Sequence, residues 1–105
     1  MEIEGLEELY LSQTLVRDLR PLANAHGLRK LYLASTAVTD LEPLAELTAL
    51  EDLDLRNTDV TTLAPLQNLP HLKKLFLTAQ QKERLAEDWQ ALLVNHPGLM
   101  DRVQR

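Results

Sequence analysis

The sequence predicts a short right-handed α/β solenoid. Four parallel strands would form a concave face, 3₁₀ or single helical turns the convex side, and a helix the C-terminal end. Three observations carry that expectation: leucine supplies 25 of the 105 residues, the leucines recur at a fixed offset of 22, and a proline returns in the second half of each of the first three periods. Leu6, Leu28, Leu50 and Leu72 each open a Leu-x-x-Leu-x-Leu block, continued by Leu9 and Leu11, Leu31 and Leu33, Leu53 and Leu55, and Leu75 and Leu77. Repetition at such a period marks a stack of like units, none of which can bury its apolar side alone.

Each element follows from the pattern in turn. In a strand, alternate side chains face opposite ways, so the leucines of each block go inward and the residues between them outward. A second apolar column follows at Val16, Val38 and Val60 and then Leu19, Leu41, Leu63 and Leu85, with Pro21, Pro43 and Pro65 beside Leu22, Leu44 and Leu66. The return segment is too short for a full helix, and a proline with its preset φ suits a first helical turn. These positions divide one domain, 1–105, into repeats 6–27, 28–49, 50–71 and 72–93. The last degenerates into a capping helix at about 83–95. There Leu85, Trp89, Leu92 and Leu93 fall at i, i+4, i+7 and i+8, one stripe of an amphipathic helix that Pro97-Gly98 stops. Trp89 is expected to plug the fourth repeat, with Leu99, Met100 or Val103 closing the edge.

These blocks resemble the leucine-rich repeat proteins, and the 22-residue period with its proline is similar to the bacterial internalin-type and phosphatase-regulator-type subclass. The resemblance implies a protein-interaction module that presents its concave sheet to a folded partner or a peptide. The alternative under the same resemblance is an accessory or truncated segment of a larger bacterial multidomain protein or effector. One departure concerns the turn, where the family often has Asn and this chain has Thr14, Thr36, Thr58 and then Gln80. A hydroxyl still bonds turn backbone but offers less than an amide, so a thinner internal ladder is expected.

Composition narrows the function further. The formal charge is −5, so no global positive field draws in nucleic acid or an anionic membrane. There are no cysteines, hence no disulfide, thiolate nucleophile or cysteine zinc site. No apolar run approaches the ~18 residues of a membrane span, and the acidic start Met1-Glu2-Ile3-Glu4 is unlike a signal peptide. A cytoplasmic location is expected on these grounds. At the N-terminus Ile3 and Gly5 stand 22 residues before Ala25 and Gly27, and no capping helix precedes Leu6. Three arrangements fit: a small half-repeat cap, a solenoid cut from a longer one, or an end-to-end homodimer through the uncovered first repeat.

The outward strand positions form columns across repeats. One column is Tyr10, Tyr32, Asp54 and Phe76, so three of the four aromatic residues stand on the concave sheet. Aromatic side chains supply large contact area at low entropic cost. With Arg56, which shares a strand with Asp54, these residues make the candidate partner-binding strip. The columns Glu7, Arg29, Glu51, Lys73 and Glu8, Lys30, Asp52, Lys74 alternate in sign and predict two ion-pair ladders. Ser12 and Gln13, Ala34 and Ser35, Arg56 and Asn57, and Thr78 and Ala79 would extend the face.

No enzyme, cofactor or metal site is expected. His26 and His71 fall in return loops away from Ser12 and Ser35, and no histidine pair has metal-ligand spacing. Asp52 and Asp54 are the only pair placed for acid–base work, and surface electrostatics explains them as well.

Overall fold

The computed structural model describes residues 5–96 and 98–104, with the side chains of 100–104 outside that description. Ile3 and Pro97, invoked above, therefore lie outside the described residues, as do the side chains of Met100 and Val103. Strands β1 (Glu8–Tyr10), β2 (Lys30–Tyr32), β3 (Asp52–Asp54) and β4 (Lys74–Thr78) pair in parallel in sequence order. Their register matches the 22-residue offset: Leu9, Leu31, Leu53 and Leu75 stand in one row. Three-residue 3₁₀ turns at Arg20–Leu22, Glu42–Leu44 and Ala64–Leu66 form the return side.

Local chemistry explains the turns at both ends of each strand. After the strand the chain reverses through a left-handed residue, Gln13 (φ 62°), Ser35 (φ 58°) and Asn57 (φ 58°). The following threonine hydroxyl donates back to the carbonyl three residues earlier: Thr14 to Leu11 at 2.6 Å, Thr36 to Leu33 at 2.7 Å and Thr58 to Leu55 at 2.7 Å. Gln13, Ser35 and Asn57 thus turn the chain at the strand end, while the N–H groups of Gln13 and Ser35 still donate to the carbonyls of Ala34 and Arg56 in the next repeat. At the 3₁₀ turns Asp18 and Asp40 accept from the N–H groups of Arg20 and Glu42, and Thr62 from that of Ala64. The proline that follows has no N–H to satisfy.

The core is a column of leucines between the sheet and the turns. Leu28, Leu31, Leu33, Leu50, Leu53, Leu55, Leu75 and Leu77 are all wholly buried, whereas Leu6, Leu9, Leu11 and Val16 of the first repeat are only partly so. That contrast is the end effect of a one-dimensional stack.

The C-terminal end is closed by more than the expected helix. Helical structure begins at Ala79, four residues before the expected 83, as α1 (Ala79–Arg84), then breaks at Leu85 and resumes as α2 (Ala86–Asn95). The early start comes from a capping box: Thr78 accepts from the Gln81 N–H while the Gln81 side chain accepts from that of Thr78. The earlier repeats have no Gln or Glu three residues after the matching position. Leu85 keeps the backbone shape of Leu19, Leu41 and Leu63, near φ −100° with ψ close to zero (φ −105°, ψ 27°), so α2 is the return turn enlarged into a helix.

Beyond α2 a fifth strand, β5 (Met100–Gln104), joins in parallel, with Lys74 opposite Met100. That offset is 26 residues (100 − 74) instead of 22, so the sequence period does not reveal the strand.

Polar side chains of the cap take the place of a further repeat. Gln81 Nε2 donates to the carbonyls of Leu55 (2.7 Å) and Thr58 (3.1 Å), while its Oε1 accepts from the N–H of Asn57 (3.2 Å). Gln81, not Gln80, therefore ends the threonine ladder. Arg84 donates to the Val60 carbonyl at 2.9 Å, and Asp88 accepts from the Thr62 hydroxyl and the Leu63 N–H. His96 Nε2 lies 2.7 Å from the Leu69 carbonyl. Trp89 is buried to 4% exposure under the Lys82 ammonium, as the plug role requires. Replacing Gln81 with Ala strands buried backbone groups. Urea unfolding of Gln81→Ala should show a loss of about 2–3 kcal/mol, and Gln81→Glu, whose carboxylate meets two carbonyls, should lose at least as much.

Candidate functional site

The parity that sends leucines inward places the next column on the concave surface, where the register sets Tyr10, Tyr32, Asp54 and Phe76 side by side. The rings of Tyr10 and Tyr32 stack with centroids 4.9 Å apart and planes 6° from parallel. Tyr10 is 65% exposed although its ring is stacked, and its hydroxyl donates to Glu8 Oε1 at 2.6 Å. That hydrogen bond is the main cause that raises the Tyr10 pKa above its ordinary value. Burial, followed by the charge of Asp52, raises that of Tyr32.

Asp54 and Arg56 hold each other. Nε and Nη2 of Arg56 donate to the two carboxylate oxygens at 3.0 and 2.8 Å, and the Arg56 N–H adds a third bond at 3.1 Å. Such forked pairing fixes the guanidinium plane, which lies 5.7 Å from the Phe76 ring centroid. All five residues of the candidate strip are thus brought together. Because Asp54 is 4% exposed and committed to Arg56, the pair shows a neutralised guanidinium plane beside an aromatic ring, not two free charges. The acid–base pairing of Asp52 with Asp54 loses one member for the same reason.

One charged column forms the expected ladder and the other does not. Arg29 bridges Glu7 at 3.2 Å and Glu51 at 3.0 Å, and Lys73 approaches Glu51 at 3.7 Å. In the column Glu8, Lys30, Asp52, Lys74 no ion pair forms among the described residues, and Glu8 instead accepts from the Tyr10 hydroxyl. Asp52 is 8% exposed.

No protein-family model matches the chain, and no curated protein matches it by sequence. Solved structures do. Internalin C2 of Listeria monocytogenes superposes with a TM-score of 0.81 at 27% identity, over 95% of this chain and 42% of that one. A second internalin of that organism, inlF, superposes with a TM-score of 0.74 at 22% identity, over 95% of this chain and 30% of its own. The chain has the leucine-rich repeat solenoid fold of these proteins. It spans less than half the length of either of these internalins.

Within this leucine-rich repeat the column arithmetic located the strip but missed two features. Glu8 serves the exposed tyrosine, a pairing signalled only by its place two residues before Tyr10 on one strand face. The described residues of the first repeat, among them Leu6, Leu9, Leu11 and Val16, also line an apolar groove. Among the described residues no cluster of three or more metal-ligating side chains occurs, and no helix is long and apolar enough to cross a membrane.

The Arg29 bridge gives the leucine-rich repeat an acid-sensitive joint. The Arg29 hydrogen bond is the main cause that holds the Glu51 carboxyl below its ordinary value. A carboxylate depressed in the folded state stabilises it fully above its unfolded pKa and progressively less as the pH falls below that. Melting temperatures measured from pH 7 to pH 3 should therefore drop more in the wild type than in Arg29→Gln, which has less of this joint to lose. Parallel curves would refute the assignment.

Proposed function

We propose that the chain is a non-catalytic protein-interaction module that receives a partner protein or peptide on its concave sheet, along Tyr10, Tyr32, Asp54, Arg56 and Phe76. The observation that carries this reading is the stacked Tyr10–Tyr32 pair, because an aromatic platform left 65% exposed at Tyr10 keeps apolar area facing water. Burying such area is what drives most association, and a ring already held by stacking loses little freedom when a partner covers it. The Arg56 plane beside Phe76 continues the platform across β3 and β4. Arginine and tyrosine are over-represented among residues that dominate interfaces. A net charge of −5 favours a protein partner over nucleic acid.

The test is affinity capture of partners by the wild type, identification by mass spectrometry, and affinity measurement with Tyr10→Ala and Tyr32→Ala. Each truncation should weaken binding about tenfold, roughly 1.4 kcal/mol, while circular dichroism stays unchanged. A folded double variant that binds as well as the wild type would remove this surface from the account.

A further inference from the structure

The concave face holds a buried carboxylate, that of Asp52, which accepts no hydrogen bond among the described residues. We propose that Asp52 anchors a site for an amphipathic α-helix of a protein partner, which lies across the strands and sets an arginine on Asp52 between two acidic side chains on Lys30 and Lys74. This inference rests on the concave reading above and names the chemistry of the partner.

The charges of the sheet face divide into those that are met and those that are not. Arg29 and Glu51 join the first charged row by ion pairs, Arg56 forks to Asp54, and Glu8 accepts from Tyr10. Lys30, Asp52 and Lys74 remain, with no ion pair among the described residues. The register sets these three side by side on β2, β3 and β4, strands that each have a described strand on both sides. Asp52 is 8% exposed. Its carboxylate has therefore lost most of its water without gaining a donor, a costly state for an ionised group. A ligand that donates to it relieves that penalty, so Asp52 carries more weight in binding than the exposed charges around it.

The fold itself shows what such a carboxylate takes. Two residues along the same strand, Asp54 accepts both arms of Arg56, whose guanidinium lies 5.7 Å from the Phe76 ring centroid. Asp52 stands diagonally across from Tyr32, on whose hydroxyl its charge acts. It has the carboxylate and the aromatic ring without the guanidinium. An arginine brings forked donors and a plane that lies on a ring, whereas a lysine brings a point charge. The lysines on either side favour acidic groups, so the charges of the occupant run minus, plus, minus. Neighbouring strands stand ~4.8 Å apart and successive turns of an α-helix ~5.4 Å. Side chains one turn apart on a helix that crosses the sheet therefore meet successive strands. An apolar stripe beside them falls on the next row, at Tyr32 and Phe76.

The probe is a blocked, alanine-based helical peptide with glutamate, arginine and glutamate one turn apart beside a leucine stripe, titrated into the ¹⁵N-labelled 105-residue chain. Saturable amide shifts are expected on β2, β3 and β4. Binding should weaken about tenfold when the arginine becomes glutamine, and as much when the three charges are reversed to lysine, glutamate and lysine. A proline at the centre of the peptide, which breaks the helix, should abolish it. On Asp52→Asn the arginine and glutamine peptides should bind alike, while the comparisons on the wild type need no protein variant at all. Equal affinity of those two peptides for the wild type, an arginine preference that survives Asp52→Asn, undiminished binding of the proline peptide, or shifts confined to other surfaces would overturn the proposal. Partners captured by the wild type separate this inference from the reading beneath it. A partner that loses affinity with Tyr32→Ala but not with Asp52→Asn leaves the concave surface standing and removes the Asp52 anchor, and one indifferent to both removes both.

Discussion

Every leucine of an inner repeat is wholly buried between the layer before it and the layer after it. That constraint organises the molecule. Leu31 and Leu53 are wholly buried because β1 and β3, or β2 and β4, flank them, whereas Leu9 occupies the same row and is only partly covered. The same dependence makes the last layer a problem of polar groups as well as apolar ones, since the carbonyls of Leu55, Thr58, Val60 and Leu69 would meet the backbone or side chains of a further repeat. Gln81, Arg84 and His96 satisfy them from the cap. The cap therefore imitates a repeat chemically without repeating its sequence.

The concave strip is a consequence of the same geometry. Three-residue strands expose few side chains each, so a continuous surface arises only across strands. Stacking of Tyr10 on Tyr32, and the Asp54–Arg56 fork beside Phe76, are cross-strand arrangements made close by the parallel register. A one-residue slip would turn Tyr10 inward and Leu9 out. Buried leucines thus fix the register that places the strip residues.

Much of this was legible from the residues. The 22-residue period determined strand order, pairing and the columns, because one offset repeated through the chain leaves a single stacking solution. It also located all five strip residues. What it did not reveal depends on choices between partners. Glu8 prefers its own strand's Tyr10 hydroxyl to Lys30, and no pattern in the column announces that. Gln81 and Gln80 look alike in sequence, and only the helix started by Thr78 decides which one faces the turn. The fifth strand was hidden by its 26-residue offset, since the enlarged return turn puts Met100 out of phase with the leucine blocks.

If neighbour coverage is the source of stability, protection should be graded along the stack. Native-state amide hydrogen exchange measures that directly, residue by residue. Amides of β3 and the adjoining turn, such as Leu55, should exchange only on global unfolding, while Leu11 and others that pair β1 with β2 should exchange through a local opening of much lower free energy. Uniform protection from β1 to β4 would contradict the account, because among the described residues the first repeat is held by the second repeat alone.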